Sequence, residues 1–228
     1  MAILSLRLIT GDSFRVVSPT FYDGFKSMNR IPKSNATEDE ASRISLAGCL
    51  LVAAPGVQDA VFARSVCIVV EHSEEHTIGI MLNRRLAIDT ESLWEQLLEG
   101  AEKPSNSVSY VNFGGPQNGP VLAIHDNQML AEGGNSQGVY LSAQSETLKK
   151  LAQTTPEHCR LFVGHAVWQV SQLETEIING DWHVLPAIPE LVFADEYTMW
   201  ARGIQTVGNS IIQAATGLPH LMAQPFLN

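Results

Sequence analysis

Short apolar runs separated by polar turns dominate the chain from residue 46 onward. The segments "LAGCLLVAAPG" (46–56) and "SVCIVVEH" (65–72) are apolar, and the second is β-branched, so both predict buried strands. "TIGIMLN" (77–83) follows after a tight polar turn and predicts a hairpin. Further strands are predicted at 107–116, 120–126, 138–142, 159–165 and 181–187.

Helical periodicity occurs between these strands. "DTESLWEQLLEG" (89–100) places leucines and a tryptophan on one helical face, offers a capping residue at its start and ends at a glycine. Two more helices are predicted at 143–153 and 194–208. Strands that come in hairpin-like clusters with helices between them predict an α+β fold.

The stretch "FVGHAVWQVSQLETEI" (162–177) raises the first question of function. The strand that begins at 159 is predicted to stop at Gly164 and to lead into a helix. In that helix Val170, Leu173 and Ile177 recur at core-facing spacing, and Gly180 ends it. A helix start presents unpaired backbone N–H groups that suit anions and ligands. Many structural turns share this pattern.

Length and composition predict one domain preceded by an extension. The chain has 228 residues, of which 45% are hydrophobic, enough for a sizeable core. "KSNATEDEASR" (33–43) is polar and free of aromatic residues, which is typical of a flexible connector. We therefore divide the chain into an N-terminal extension and polar linker, 1–44, and an α+β domain, 45–228.

The chain is expected to be a soluble cytoplasmic protein. It has no apolar run of about 18 residues and no cleavable leader pattern at its start, so neither a membrane span nor export is expected. Its three cysteines are far apart and form no CxxC pair, which is a poor pattern for disulfides or zinc. Cys49 and Cys67 lie in apolar runs, so inert buried thiols are expected.

Charge disfavours nucleic acid as a partner. The net charge is −10, and residues 1–44 hold six Lys/Arg and five Asp/Glu, which leaves eight against nineteen and a net charge of −11 for the rest. Nucleic-acid binding depends on cations that neutralise phosphates. The largest basic clusters after residue 44 are the pairs Arg84-Arg85 and Lys149-Lys150.

Two motifs resemble known sites but predict ordinary turns. "HSEEH" (72–76) matches the H-x-x-E-H pattern of zinc peptidases, which needs both imidazoles on one helical face. Its flanks are strand-like, so we predict a hairpin loop and no metal. "FGGPQNGP" (113–120) lacks the Gly-Lys-Ser/Thr of a phosphate loop, so a turn that needs glycine is predicted, with no cofactor.

Taken together, the motifs resemble the AlgH/YqgE family of bacterial proteins and plastid relatives over roughly residues 46–208. The first motif comprises Gly48, Leu51, Ala53, Pro55, Asp59, Phe62, Ser65, Val66 and His72, followed by Gly79, Leu82, Asn83 and Arg84. The later motifs comprise Gly114, Gly115, Pro116, His125, Gly164, Ala166, Trp168, Gln172, Leu173 and Glu174. The chain departs from the family pattern at His165, Val167 and Ser171, where Tyr, Gly and Gly are usual.

The resemblance implies a fold but no chemistry. It implies an α+β fold with a bifurcated mixed, largely antiparallel, sheet curled into a pseudo-barrel with flanking helices. No biochemical activity is established for the family, although some members are described as regulators of transcription. The oligomeric state, the ligand and the role of residues 1–44 are not indicated.

The polar motif residues give the candidate ligand-binding site, because they lie at predicted strand ends and loops, where sites tend to be built. The candidates are Asp59, His72, Asn83, Arg84, Gly114, Gly115, Pro116, His125, Gly164, Trp168, Gln172 and Glu174. Our first hypothesis is a non-catalytic regulatory protein that binds a small molecule or a protein. The second is an enzyme with Asp59, His72 or His125 as the acid–base group. The third and weakest is a nucleic-acid-binding regulator.

One geometric hypothesis concerns the stretch 162–177. Trp168, at the predicted helix start, is expected to pack beside the Gly114–Gly115–Pro116 turn as one wall of a site. Glu174 is expected at the border of the buried stripe with Arg84 as its partner. The alternative is that Glu174 is a solvated surface residue and this corner only packs.

Overall fold

The computed structural model describes residues 45–86, 111–154 and 156–216. These residues form ten strands, which are β1 (Cys49–Ala53), β2 (Val66–His72), β3 (His76–Met81), β4 (Arg85–Leu86), β5 (Val111–Phe113), β6 (Gln117–His125), β7 (Gly133–Gly134), β8 (Tyr140–Ser142), β9 (Cys159–Gln169) and β10 (Trp182–Pro186). All the strands predicted from the apolar runs are present, and each buries at least one large apolar side chain.

Four α-helices accompany the strands in this part of the chain. They are α1 (Ser145–Thr154), α2 (Val170–Ile178), α3 (Pro189–Val192) and α4 (Glu196–Thr216). The helix predicted at 89–100 lies outside the described residues. No helix in the described ranges combines the length and the apolar character needed to cross a membrane.

The strands form one mixed sheet that branches at β9. Along its main path the order is β10-β1-β2-β3-β9-β6-β8-β7, and β4 and β5 form a side branch. One edge of β9 pairs with β6, while the other pairs first with β5, in parallel, and then with β3. Every other pairing is antiparallel. The sheet curls into a half-barrel with helices packed against it, so the expected α+β fold is confirmed.

Helices cover both faces of the sheet. α3 and α4 pack on one face through Leu191, Val192 and Met199. On the opposite face, α1 covers the β5–β6–β9 end and α2 covers the β1–β2–β3 end, where Leu173 is fully buried. β1, β2 and β3 are therefore buried on both sides, which explains why their sequences are continuously apolar rather than alternating.

Gly164 reverses the two faces of β9. Before it, Phe162 points to the face that α3 and α4 cover, whereas after it Ala166 and Trp168 point to the face that α2 covers. In a regular strand these even-numbered residues would share one face. Gly164 lies between them at φ +79°, a left-handed conformation that glycine adopts without penalty. The left-handed backbone at Gly164 therefore exchanges the inward and outward sides of β9.

The prediction that the strand stops at Gly164 is wrong. β9 continues to Gln169, because β3 offers a free edge with which residues 166–169 pair. Trp168 consequently lies in a strand opposite Thr77 rather than at the start of a helix. The helix itself, α2, begins at Val170 and has the predicted buried face of Val170, Leu173 and Ile177.

Candidate functional site

Asp59 lies in the loop between β1 and β2 and caps a turn there. Its Oδ1 accepts hydrogen bonds from the backbone N–H groups of Val61 (2.8 Å) and Phe62 (2.9 Å). The N–H of Ala63 donates to the Asp59 carbonyl at 2.9 Å. The carboxylate therefore satisfies backbone donors at the start of a turn, as capping residues do.

Asn83 and Arg84 hold the other end of the same loop. The Asn83 side chain is buried; its Oδ1 accepts from the Val66 N–H, and its Nδ2 donates to the Arg64 carbonyl, both at 2.9 Å. The Arg84 guanidinium donates to the Ala63 carbonyl. Arg64 itself has a positive φ of 56°. The structure therefore brings Asp59, Asn83 and Arg84 to one loop, where they bind its backbone.

His125 is a buried, fully hydrogen-bonded histidine. It has no exposed surface; Nε2 lies 2.9 Å from the Ser142 Oγ, and the Asn127 N–H donates to Nδ1 at 3.2 Å. Ser142 donates its own proton to the Leu130 carbonyl, so His125 must donate from Nε2 and is neutral. Burial lowers the pKa of His125 to about 4. This ring cannot reach a substrate in the described conformation.

The HSEEH segment is the predicted hairpin. β2 ends at His72 and β3 begins at His76. His72 Nδ1 lies 2.8 Å from the Thr77 Oγ1, whereas His76 Nε2 lies 3.2 Å from the Glu71 carboxylate. Neighbouring strand residues point to opposite faces, so the two imidazoles diverge, as expected.

The Gly114–Gly115–Pro116 turn fills the fork of the branched sheet. The Gly114 N–H donates to the Val163 carbonyl and its carbonyl accepts from the Met81 N–H, both at 2.8 Å. A side chain at Gly114 would overlap the Gly164 carbonyl, and one at Gly115 would overlap His165. Gly114 and Gly115 of one motif and Gly164 of another are therefore required, because the two backbones are in van der Waals contact and leave no room for a side chain.

Trp168 and Glu174 do not meet the predicted partners. The Trp168 ring contacts Phe62 and Trp182, with centroids 5.5 and 5.8 Å apart, on the face of the sheet that α2 covers. Glu174 is exposed, and within the described residues no ion pair joins it to Arg84, which binds the loop carbonyls instead. The proposed ion pair is therefore incorrect, and Trp168 lies in a strand rather than at a helix start.

In α2, Glu176 rather than Glu174 forms a hydrogen bond to another element. Glu176 accepts hydrogen bonds from the Trp182 Nε1 and from the Gln172 amide, both at 2.8 Å. It thereby links α2 to β10 and to the cluster of Trp168, Trp182 and Phe62. The available signal was its spacing, since Glu176 lies four residues after Gln172 on the same helical face.

The three cysteines are free thiols. Burial raises the pKa of Cys67 and of Cys159 to about 12 and also raises that of Cys49. Thiolates, not thiols, are the reactive species, so the geometry agrees with the expectation of inert cysteines.

The candidate acid–base residues are spread over the fold. Asp59 lies in the β1–β2 loop, His72 at the β2–β3 hairpin and His125 at the end of β6. Among the described residues, the one group with three potential metal-ligand atoms within 4.8 Å of one another is Asp126, Glu157 and His158, outside the motifs. Glu157 and His158 are exposed. The motif residues therefore support the loop and the sheet fork rather than one shared cavity.

Comparisons with known proteins agree with this architecture. A UPF0301 protein of Burkholderia vietnamiensis is 32% identical over 191 residues, which is 78% of this chain and 97% of that protein. A UPF0301 protein of Shewanella woodyi is 32% identical over 183 residues, with 77% and 98% covered.

Solved structures show the same fold. The solution structure of the AlgH protein from Pseudomonas aeruginosa superposes with a TM-score of 0.61 at 24% identity, covering 79% of this chain and 98% of that one. A crystal structure of protein DIP2367 from Corynebacterium diphtheriae gives a TM-score of 0.58 at 28% identity, with 72% and 88% covered. The family model described as AlgH-like matches residues 50–212, and the chain therefore belongs to the AlgH-like family.

Proposed function

We propose that this chain is a non-catalytic regulatory protein that acts by binding a small molecule or a protein partner. The observation that carries the proposal is the use of the polar motif side chains. Asp59, Asn83 and Arg84 are hydrogen-bonded to the backbone of one loop, and His125 is buried between Ser142 and Asn127. Groups engaged in this way stabilise the β1–β2 loop and the sheet rather than transfer protons.

The enzyme hypothesis receives little support from this geometry. Acid–base catalysis needs a group within hydrogen-bond reach of the substrate and a pKa near the working pH. His125 has no exposed surface and its pKa is lowered to about 4. Asp59 already accepts two backbone hydrogen bonds, and it lies in a different part of the fold from His72.

A substrate screen with matched variants tests the proposal. The full chain would be assayed against panels of esters, phosphoesters, glycosides and peptides, beside Asp59→Asn and His72→Gln. His183→Gln is the control, since His183 is a half-buried histidine of β10 outside the motifs. We expect no turnover above buffer for any of the four proteins. Turnover that Asp59→Asn or His72→Gln abolishes while His183→Gln retains it would contradict the proposal.

Native mass spectrometry of the gently purified full chain tests the binding role itself. A small molecule retained at constant stoichiometry would identify the ligand as a metabolite. A protein partner would instead give a discrete heterocomplex after chemical cross-linking in the source cells. The absence of both, with turnover in the screen, would transfer support to the enzyme hypothesis.

A further inference from the structure

β10 is the last strand on one side of the sheet, and its ladder with β1 determines which backbone groups point outward. The Ala54 N–H donates to the Asp181 carbonyl at 2.9 Å, one step beyond the pair Ala53–Trp182. Hydrogen-bonded pairs alternate along an antiparallel ladder, so His183 and Leu185 bond to β1. The backbone groups of Trp182 and Val184 therefore point away from the sheet.

The neighbouring strand confirms this alternation. The Ala53 N–H donates to the Ser65 carbonyl at 3.0 Å, on the β2 side of β1. The backbone groups of a β1 residue that point to β2 cannot also bond to β10. Ala53 is such a residue, and it is opposite Trp182, so the backbone groups of Trp182 point away from β1. The outward direction of the Trp182 and Val184 amides thus follows from two independent hydrogen bonds.

Within the described residues, no strand pairs with this outer edge, although the Pro186 carbonyl at its end accepts a hydrogen bond from the Ile188 N–H at 3.0 Å. β10 has β1 as its sole strand neighbour there, and the Val184 side chain is 38% exposed. Proteins usually protect such edges with lysine, proline, a bulge or a very short strand. The opposite end of the main sheet is a two-residue strand, β7, whereas β10 has five residues and a proline only at its last position.

The charged residues in the sequence around this edge are mainly acidic. Between Arg160 and Arg202 the chain contains no lysine or arginine. The same interval holds six carboxylates, which are Glu174, Glu176, Asp181, Glu190, Asp195 and Glu196. Glu196 is buried and paired with Arg85, and Arg160 donates to the carbonyls of Phe193 and Ala194. The exposed carboxylates Glu174, Asp181 and Glu190 therefore carry the acidic charge of α2 and of the residues around β10. A basic segment is the complementary partner, whereas a second copy of this chain would be repelled.

We infer that β10 accepts an extended, lysine- or arginine-bearing segment of a partner protein as an additional strand. The added strand would bond to the outward N–H and C=O groups of Val184, which is 38% exposed, because Trp182 is only 4% exposed. Main-chain hydrogen bonds of this kind supply affinity, and alternating side chains supply specificity. The inference rests on the proposed binding role and gives that role a protein partner and a surface.

Hydrogen exchange measured by NMR tests the edge directly. In the free full chain, the amide of Val184 should exchange fast, while those of His183 and Leu185 should be protected. A peptide of about nine residues that alternates lysine and valine should protect Val184 selectively. Slow exchange of the Val184 amide in the free chain would overturn the inference. Failure of the peptide to protect that amide would overturn it as well.

Two further peptides separate strand addition from simple charge attraction. Replacing the lysines with glutamates should abolish binding, because the edge is acidic. Replacing the valines with prolines keeps the charge but removes every second N–H group, and should weaken binding by about tenfold or more. Equal binding of the lysine–valine and lysine–proline peptides would contradict strand addition.

Matched variants of Val184 complete the test. Val184→Pro removes one outward N–H group and spares the bonds to β1, so peptide binding should fall by about tenfold. Val184→Ala keeps the backbone donor and should bind within about threefold of wild type. If Val184→Pro does not fold, the exchange pattern of the wild type decides. A dimer that forms without peptide and is lost in Val184→Pro would instead identify a second copy as the occupant, against the inference.

These results are distinguishable from failure of the proposed function. Turnover in the substrate screen would refute the binding role whatever the edge does. A retained small molecule without protection of the Val184 amide would preserve the binding role and refute only the strand-addition site.

Discussion

At the scale of single residues, His125 links burial to a pH effect. Burial lowers its pKa from 6.5 to about 4 in the folded chain. Between about pH 6.5 and pH 4 the unfolded chain therefore binds a proton that the folded chain does not. Stability is full above this window and falls as pH decreases through it, by up to about 3 kcal/mol.

Replacing His125 with glutamine should flatten that dependence. Glutamine can still donate to the Ser142 hydroxyl but does not titrate. Urea unfolding at about pH 7 and pH 4.5 should show a smaller loss for His125→Gln than for wild type. The other histidines contribute equally to both proteins, so the difference isolates His125. An identical pH dependence of the unfolding free energy in the two proteins would mean that His125 is not buried in its neutral form.

The two glutamates of α2 should differ in their effect on stability. Glu176 accepts the Trp182 indole N–H, and Trp182 is almost fully buried. Glu176→Ala leaves that donor unpaired and should cost about 1–3 kcal/mol, while Glu176→Gln retains an acceptor and should recover most of it. Glu174→Ala, at an exposed position, should stay within about 0.5 kcal/mol. Equal effects in urea unfolding would refute this assignment.

The residue-scale errors have a common physical cause. Sequence spacing placed Glu174 near the buried stripe, but a carboxylate there needs a partner from another element. Arg84 was chosen as a scarce cation, yet it binds the Ala63 carbonyl, because the β1–β2 loop exposes backbone acceptors close to it. Which polar group satisfies which backbone atom depends on loop geometry that no periodicity in the sequence encodes.

At the scale of elements, Gly164 and Gly180 offer a matched pair. Both have nearly the same left-handed φ, +79° and +81°. A side chain at Gly164 would lie 2.5 Å from the Gly115 carbonyl oxygen, whereas one at Gly180 would meet nothing within 4 Å. Gly180→Ala should therefore show only the backbone penalty of about 1–2 kcal/mol.

Gly164→Ala should add the cost of separating two crossing backbones and exceed about 3 kcal/mol in urea unfolding. The difference between the two variants measures how tightly the sheet fork is packed. Similar losses for both would mean that the fork can open to admit a methyl group.

Elements were predictable where burial is local in sequence. The apolar runs of β1, β2 and β3, and the periodicity of α2, reveal their own burial. The extension of β9 beyond Gly164 was not predictable, because residues 166–169 are a strand only through the edge that β3 provides, almost ninety positions earlier. A glycine within a strand pattern is typical of both a local irregularity and a strand end.

At the scale of the whole molecule, the domain boundary at residue 45 remains a prediction. A chain that begins at Ser45 should unfold within about 3 °C of the full chain, because the family match starts at residue 50 and the preceding linker is polar. Differential scanning calorimetry of both proteins is the measurement. Insolubility of the shorter chain, or a much lower melting temperature, would place the boundary elsewhere.

The position of β1 between β2 and β10 has a consequence for synthesis on the ribosome. β1 is the first described strand to be translated, yet its partner along one edge spans residues 182–186. Contacts of such long sequence separation slow folding. The nascent chain therefore carries apolar strands with an unsatisfied edge until most of it has emerged, a state in which chaperones commonly bind. We therefore expect the nascent chain to become resistant to protease only after the segment that contains β10 has left the ribosome, and not while the earlier strands are being synthesised.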